Sequence, residues 1–84
     1  MVARAYVLIT ADAGRERDIY DKIKSSKEFK EIYMVFGEHD IIAKIEAEDT
    51  DGLGKLVLDE VRTIDGILST LTLTVADIGL RYRQ

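Results

Sequence analysis

The chain has 84 residues, no cysteine, no proline and a formal net charge of −4, from 12 Lys and Arg against 16 Asp and Glu. That length suits one domain spanning 1–84, the lack of thiols excludes disulfide frameworks and thiolate metal sites, and the acidic balance disfavours nucleic-acid binding by this chain, because phosphate contacts need a basic face. No run approaches the ~18 apolar residues of a membrane span, and Met1-Val2-Ala3-Arg4 shows no signal-peptide pattern, so a cytoplasmic setting without membrane contact is expected.

Residues 4–10 (Arg-Ala-Tyr-Val-Leu-Ile-Thr) are rich in β-branched and aromatic types and predict a strand. Asp12 is placed to cap a helix running from Gly14 to about Ser25, in which Ile19 and Ile23 share a face and Asp18 and Lys22 form an i,i+4 pair. Residues 31–36 predict a second strand and Ile41 to Ala47 a third, joined by the turn tetrad Gly37-Glu38-His39-Asp40. On the third strand, Ile41, Ala43, Ile45 and Ala47 line one face, and Ile42, Lys44 and Glu46 the other. Asp49-Thr50-Asp51 supplies caps for a second helix, whose apolar stripe is Leu53, Leu56, Val57, Val61 and Ile64, and Asp65-Gly66 ends it. Ile67 to Val75 alternates as a fourth strand, and 77–83, with Ile78, Leu80 and Tyr82 in alternation, predicts a short fifth edge strand.

The order β-α-β-β-α-β plus an edge strand defines an α+β, ferredoxin-like antiparallel sheet with both helices on one face. The second face is then left to the out-of-phase residues: Tyr6, Leu8, Tyr33 or Met34, Ile42, Lys44, Leu68, Thr70 and Thr72. A contiguous apolar patch of that kind marks an interaction surface, and sheet-to-sheet packing of two copies would bury it as an isologous dimer through Tyr6, Leu8, Ile42 and Leu68. Leu58 lies off the stripe of the second helix as a lone exposed leucine.

Gly37-Glu38-His39-Asp40 followed by Ile-Ile-Ala-Lys-Ile-Glu-Ala resembles the G-x-[YH]-D hairpin of the RAM domain, the regulatory domain of amino-acid metabolism. Leu53 to Ile64 and Gly66-Ile67-Leu-Ser-Thr-Leu-Thr-Leu-Thr-Val resemble that family's second helix and its closing strand with T-x-T. The likeness covers residues 4–76 and is to the Lrp/AsnC (feast/famine) transcription regulators, here without their helix-turn-helix. The resemblance implies a non-enzymatic oligomerisation module, without cofactor, that binds a small effector, usually an amino acid. It further implies dimers formed through sheet faces, rings of dimers up to octamers, and hetero-assembly with full-length regulators sharing the fold.

Carried over from the family pocket, the ligand-binding residues are Gly37, His39 and Asp40 at the hairpin tip, Asp49 and Asp51 early in the second helix, and Thr70 and Thr72 on the last strand. The chemistry suits a zwitterion: Asp40 accepts from an ammonium group, while backbone N–H groups near Gly37 and the threonine hydroxyls donate to a carboxylate. Simpler roles fit the same residues. Turn chemistry alone selects Gly37 and Asp40, β-propensity selects Thr70 and Thr72, helix capping selects Asp49 and Asp51, and His39, the one histidine, is compatible with a solvated turn. Two other functions share this fold. One is a dimeric α/β-barrel enzyme of monooxygenase type with His39 in the chemistry, and the other is a scaffold with no ligand.

Overall fold

The computed structural model describes residues 2–76. Their elements are β1 (Ala3–Ala11), α1 (Glu16–Lys24), β2 (Phe29–Met34), β3 (Ile41–Ala47), α2 (Thr50–Leu56), a π-helical turn (Val57–Val61) that prolongs α2, and β4 (Ile67–Thr74). One antiparallel sheet has the order β2-β3-β1-β4. This is the expected ferredoxin-like α+β arrangement, with its two halves meeting at the β2–β3 hairpin. The fifth strand expected over 77–83 lies outside the described residues.

The alternation read from the sequence fixes the core on the helix-facing side. Ala5, Val7 and Ile9 of β1 stand directly opposite Ile45, Ala43 and Ile41 of β3, and all six are fully buried. Cross-strand partners point to the same face, so these residues form one apolar floor. Ile19 and Ile23 of α1 close it from above, with Leu53, Val57 and Val61 from the second helical segment. No polar or charged residue is buried among the described residues.

The helix signals are met differently. Asp49 takes an extended conformation and its Oδ1 accepts the Gly52 N–H at 2.8 Å, so the expected cap of α2 is in place. Asp12 does not cap α1. Its N–H donates to the Gly66 carbonyl at 2.7 Å and its carbonyl accepts from Arg15, which begins the helix without any side-chain cap. The acids Glu16 and Asp18 near the first turn and Lys22 and Lys24 in the last offset that loss through the helix dipole. The i,i+4 pair on this helix is Arg17–Asp21 at 3.3 Å rather than Asp18–Lys22.

The π turn has a packing reason. Leu53, Val57 and Val61 are four residues apart and all buried. In a regular α-helix each such step over-rotates by about 40°. One wider turn, closed by Arg62 N–H to the Val57 carbonyl at 2.9 Å, offsets the drift and returns Val61 to the core.

β4 corrects the sequence reading. Thr70, Thr72 and Thr74 pair with Ile9, Val7 and Ala5, so they point to the helix side, while Leu71 and Leu73 pair with Leu8 and Tyr6 on the other face. Thr70 and Thr72 therefore do not lie on the open face. The register shifts between Thr10 and Ala11, where Ser69 and Ile67 are successive partners, and Leu68 falls in the bulge instead of continuing the open-face ladder. Helix α1 packs on β2, and α2 on β1 and β3. Neither covers β4 to a comparable extent, so its helix-side face remains wet and takes threonine.

Candidate ligand-binding site and assembly face

The hairpin tip is bound to the end of β1, a connection that local turn chemistry does not require. Asp40 donates its N–H to the Ile9 carbonyl at 2.9 Å, and its carbonyl accepts from Val35 N–H, also at 2.9 Å. Its carboxylate Oδ2 accepts the Ala11 N–H at 2.8 Å, beyond the last β1–β3 pair, Ile9–Ile41. The carboxylate thus satisfies a main-chain donor, and Oδ1 has no protein partner among the described residues. His39 Nδ1 lies 3.2 Å from Thr10 Oγ1. Gly37 has φ +134°, a conformation that L side chains rarely adopt, so the turn itself selects glycine here.

Beside this tip lies a half-open concavity of about 440 Å³ lined by Gly14, Glu16, Arg17, Met34, Val35, Phe36 and Asp40. It brings together a carboxylate from the tip, a guanidinium from α1 and an apolar wall from the end of β2. Phe36 is fully exposed, an unusual state for that side chain. Sequence reasoning found Gly37, His39 and Asp40 but missed Arg17, Met34, Val35 and Phe36. The exposed Phe directly before Gly37 was the available signal for them.

The remaining predicted site residues are not gathered here. Asp49 is committed to its cap, and exposed Asp51 sits in the first turn of α2. Both follow β3 at the end where Ala47 pairs with Ala3, whereas the tip lies beyond the Ile41–Ile9 end. Six residues of strand separate the two ends, about 20 Å. Thr70 and Thr72 lie on β4, two strand spacings from β3, or about 10 Å. No single small ligand within one chain reaches the tip and the acids of α2 together.

The open face of the sheet carries a continuous apolar band. Tyr6 and Leu8 of β1 lie between Ile42 of β3 and the exposed Leu71 and Leu73 of β4, and exposed Tyr33 of β2 stands opposite Ile42. Polar pairs rim it. Arg4 Nε meets Glu46 Oε2 at 2.9 Å, and Glu31 accepts from Tyr33 Oη at 2.8 Å and from Lys44 Nζ at 3.3 Å. The Tyr33 hydroxyl, aided by Lys44, holds the Glu31 carboxyl below the ordinary carboxylate range, and hydrogen bonding to Glu31 raises the Tyr33 phenol.

The profile of the Lrp/AsnC ligand binding domain matches residues 4–79. The chain belongs to this family. The helix-turn-helix-type transcriptional regulator FL11 of Pyrococcus furiosus is 30% identical over 74 residues, covering 88% of this chain and 48% of its own length. The chain spans about half the length of the curated relatives it matches. Among solved structures, that of FFRP-DM1 superposes with a TM-score of 0.82 at 33% identity, covering 90% of this chain and 100% of the other. The fold is also that of the transcriptional regulator NMB0573 of Neisseria meningitidis, solved as an L-Met complex. There the TM-score is 0.79 at 16% identity, over 94% of this chain and 53% of that one. The relatives matched in sequence are transcriptional regulators, and none is named as an enzyme. No helix among the described residues is long and apolar enough to cross a membrane.

Proposed function

We propose that this Lrp/AsnC ligand-binding domain is a non-enzymatic sensor that binds a free amino acid in the cytoplasm and assembles with further copies of itself, in the service of transcriptional regulation. The observation that carries the effector reading is the concavity at the hairpin tip. Asp40 Oδ1 is available to an ammonium group, and Met34, Val35 and Phe36 to an apolar side chain, while the Arg17 guanidinium, ion-paired with Asp21 at 3.3 Å on the exposed face of α1, meets a ligand carboxylate by exchanging that partner. His39, held by Thr10, orients the tip, and Gly37 lets the backbone turn close to the ligand. The concavity is half open, so a second chain laid over the tip completes it and excludes water, which strengthens every polar contact.

Assembly uses two surfaces in this reading. Sheet faces meet through Tyr6, Leu8, Ile42, Leu71 and Leu73 to form the dimer. The tips, with Phe36 exposed, bring dimers together into a ring and place the ligand at the junction. Regulators that carry the same domain offer the same two surfaces, so this reading extends to hetero-assembly with them.

Thermal unfolding against a panel of amino acids tests the effector reading. A ligand at 100 times its Kd adds about 2.7 kcal/mol to the native state, a rise of roughly 10 °C or more for a domain this small. Asp40→Asn keeps an acceptor for the Ala11 N–H but removes the charge, and it should abolish the shift while leaving the unliganded midpoint near wild type. If no amino acid shifts the midpoint, the amino-acid reading is wrong and the scaffold reading replaces it.

A further inference from the structure

We propose that residues 77–84 of this chain lie across the foot of the sheet, the end away from the hairpin tip, with Arg81 and Arg83 paired to the acids around the start of α2. At the foot three strands end side by side. Ala3 of β1 pairs with Ala47 of β3, and Ala5 of β1 with Thr74 of β4. Between these ends lies a hollow of about 360 Å³, lined by apolar Val2, Ala3 and Val75 and by the acids Glu48 and Asp49. Val2 and Val75 are both exposed. Glu48, Asp49 and Asp51 form no ion pair among the described residues.

The occupant follows from where the chain leads. Val75 N–H donates to the Arg4 carbonyl at 2.8 Å, so the segment that follows sets out from the lip of the hollow. β3 lies two strand spacings from β4, about 10 Å, and eight extended residues span about 26 Å. Residues 77–84 read Asp-Ile-Gly-Leu-Arg-Tyr-Arg-Gln. Their order matches the order of the surface they cross. Apolar Ile78 and Leu80 come first and pass over Val75 and Val2. Arg81 and Arg83 come next and arrive at Glu48, Asp49 and Asp51.

Each exposed ion pair contributes little alone, but a segment tethered at Val75 meets its site at a high effective concentration, so modest contacts suffice. The outer edge of β4, which alternation alone suggests for this segment, fits less well. β4 carries no acid to meet the two arginines, and Ala76-Asp77 lacks the glycine of a two-residue hairpin turn. The assignment gives Asp49 and Asp51 a partner within the chain in place of an effector. It stands apart from the hairpin tip and holds whether or not that tip senses an amino acid.

The test is paramagnetic broadening in the whole chain. There is no native cysteine, so Gln84→Cys carries a nitroxide at one place only. The label should broaden the amides of Ala3 and residues 48–52 most, and leave those of residues 37–40 sharp. Arg81→Glu/Arg83→Glu in the labelled chain should lose that pattern while the amide spectrum of the sheet is kept. Lys27→Glu/Lys30→Glu, the same change of charge elsewhere, should retain it. Added salt should weaken the pattern, because exposed pairs are screened. Broadening that follows residues 67–72 instead places the segment on the β4 edge and overturns the proposal. So does a pattern that survives the arginine reversal, or the absence of any localised broadening. A mixture of nitroxide-labelled chain without isotope and isotope-labelled chain without nitroxide should show no broadening at residues 48–52. If it does, the segment reaches a second copy, and the assignment within one chain is wrong.

Discussion

Asp40 holds two positions at once. Its Oδ2 satisfies the Ala11 N–H beyond the end of the β1–β3 pairing, and the residue also lines the concavity. Asp40→Ala should therefore cost about 1–3 kcal/mol through the unsatisfied Ala11 N–H, read as a lowered unfolding midpoint, before any effect on ligand is considered. The Asn variant separates the two roles. Glu31 offers a second check at this scale. Its folded pKa is depressed, chiefly by the Tyr33 hydroxyl, so its contribution to stability is present above the unfolded carboxylate pKa and lost as pH falls through the folded value. Tyr33→Phe should move the Glu31 titration upward, toward the ordinary range, in a carboxyl-carbon NMR titration. Tyr33 has the opposite sense: its raised pKa stabilises below the unfolded phenol value and is lost as pH rises through the folded one. The turn residues Gly37 and Asp40 were legible because their types are demanded locally. The partners Thr10 and Ala11 were not, because they lie 29 residues away in sequence and nothing local marks them.

Among the elements, β3 and β4 show what alternation reveals. On β3, one side is enclosed by helices, so Ile41, Ala43 and Ile45 read directly as core. On β4, leucine and threonine alternate just as regularly, but neither side is enclosed within the chain. Reading leucine as inward then puts Leu71 and Leu73 on the wrong face. The bulge at Leu68 adds a second phase change that no composition signal announced. α2 was legible at its start and not at its end. Asp49 is the cap that its type and place predict, and Asp49→Ala should lower stability by about 1 kcal/mol in denaturant unfolding. The π turn follows from keeping Leu53, Val57 and Val61 on one line, a tertiary demand absent from helix propensity. Gly66, at φ +96°, would bring a Cβ to 3.3 Å from the Arg15 side chain. Gly66→Ala should cost more than about 1 kcal/mol by the same measurement.

At the scale of the whole molecule, two layers leave one face of the sheet bare. The helices cover β2, β3 and β1 from one side only, and the apolar residues of β4 are spent on the other. Leu71 and Leu73 are about half exposed, at 48% and 49%, and adjoin Tyr6 and Leu8, so the band is continuous across strands. A chain of this length has a small core of its own, and covering the band with a second copy adds to it. The charged rim, with Arg4–Glu46 and Glu31–Lys44 each neutralised internally, presents no like-charge barrier to such pairing. The most direct test is sedimentation equilibrium of the wild-type chain and of Leu71→Lys/Leu73→Lys. Both leucines are exposed in the single chain, so the double variant keeps its fold by circular dichroism. Wild type should be a dimer or larger, with a dissociation constant below about 1 μM, and the double variant a monomer. A wild-type chain that stays monomeric at concentrations well above that, or a double variant that assembles equally well, would contradict the account.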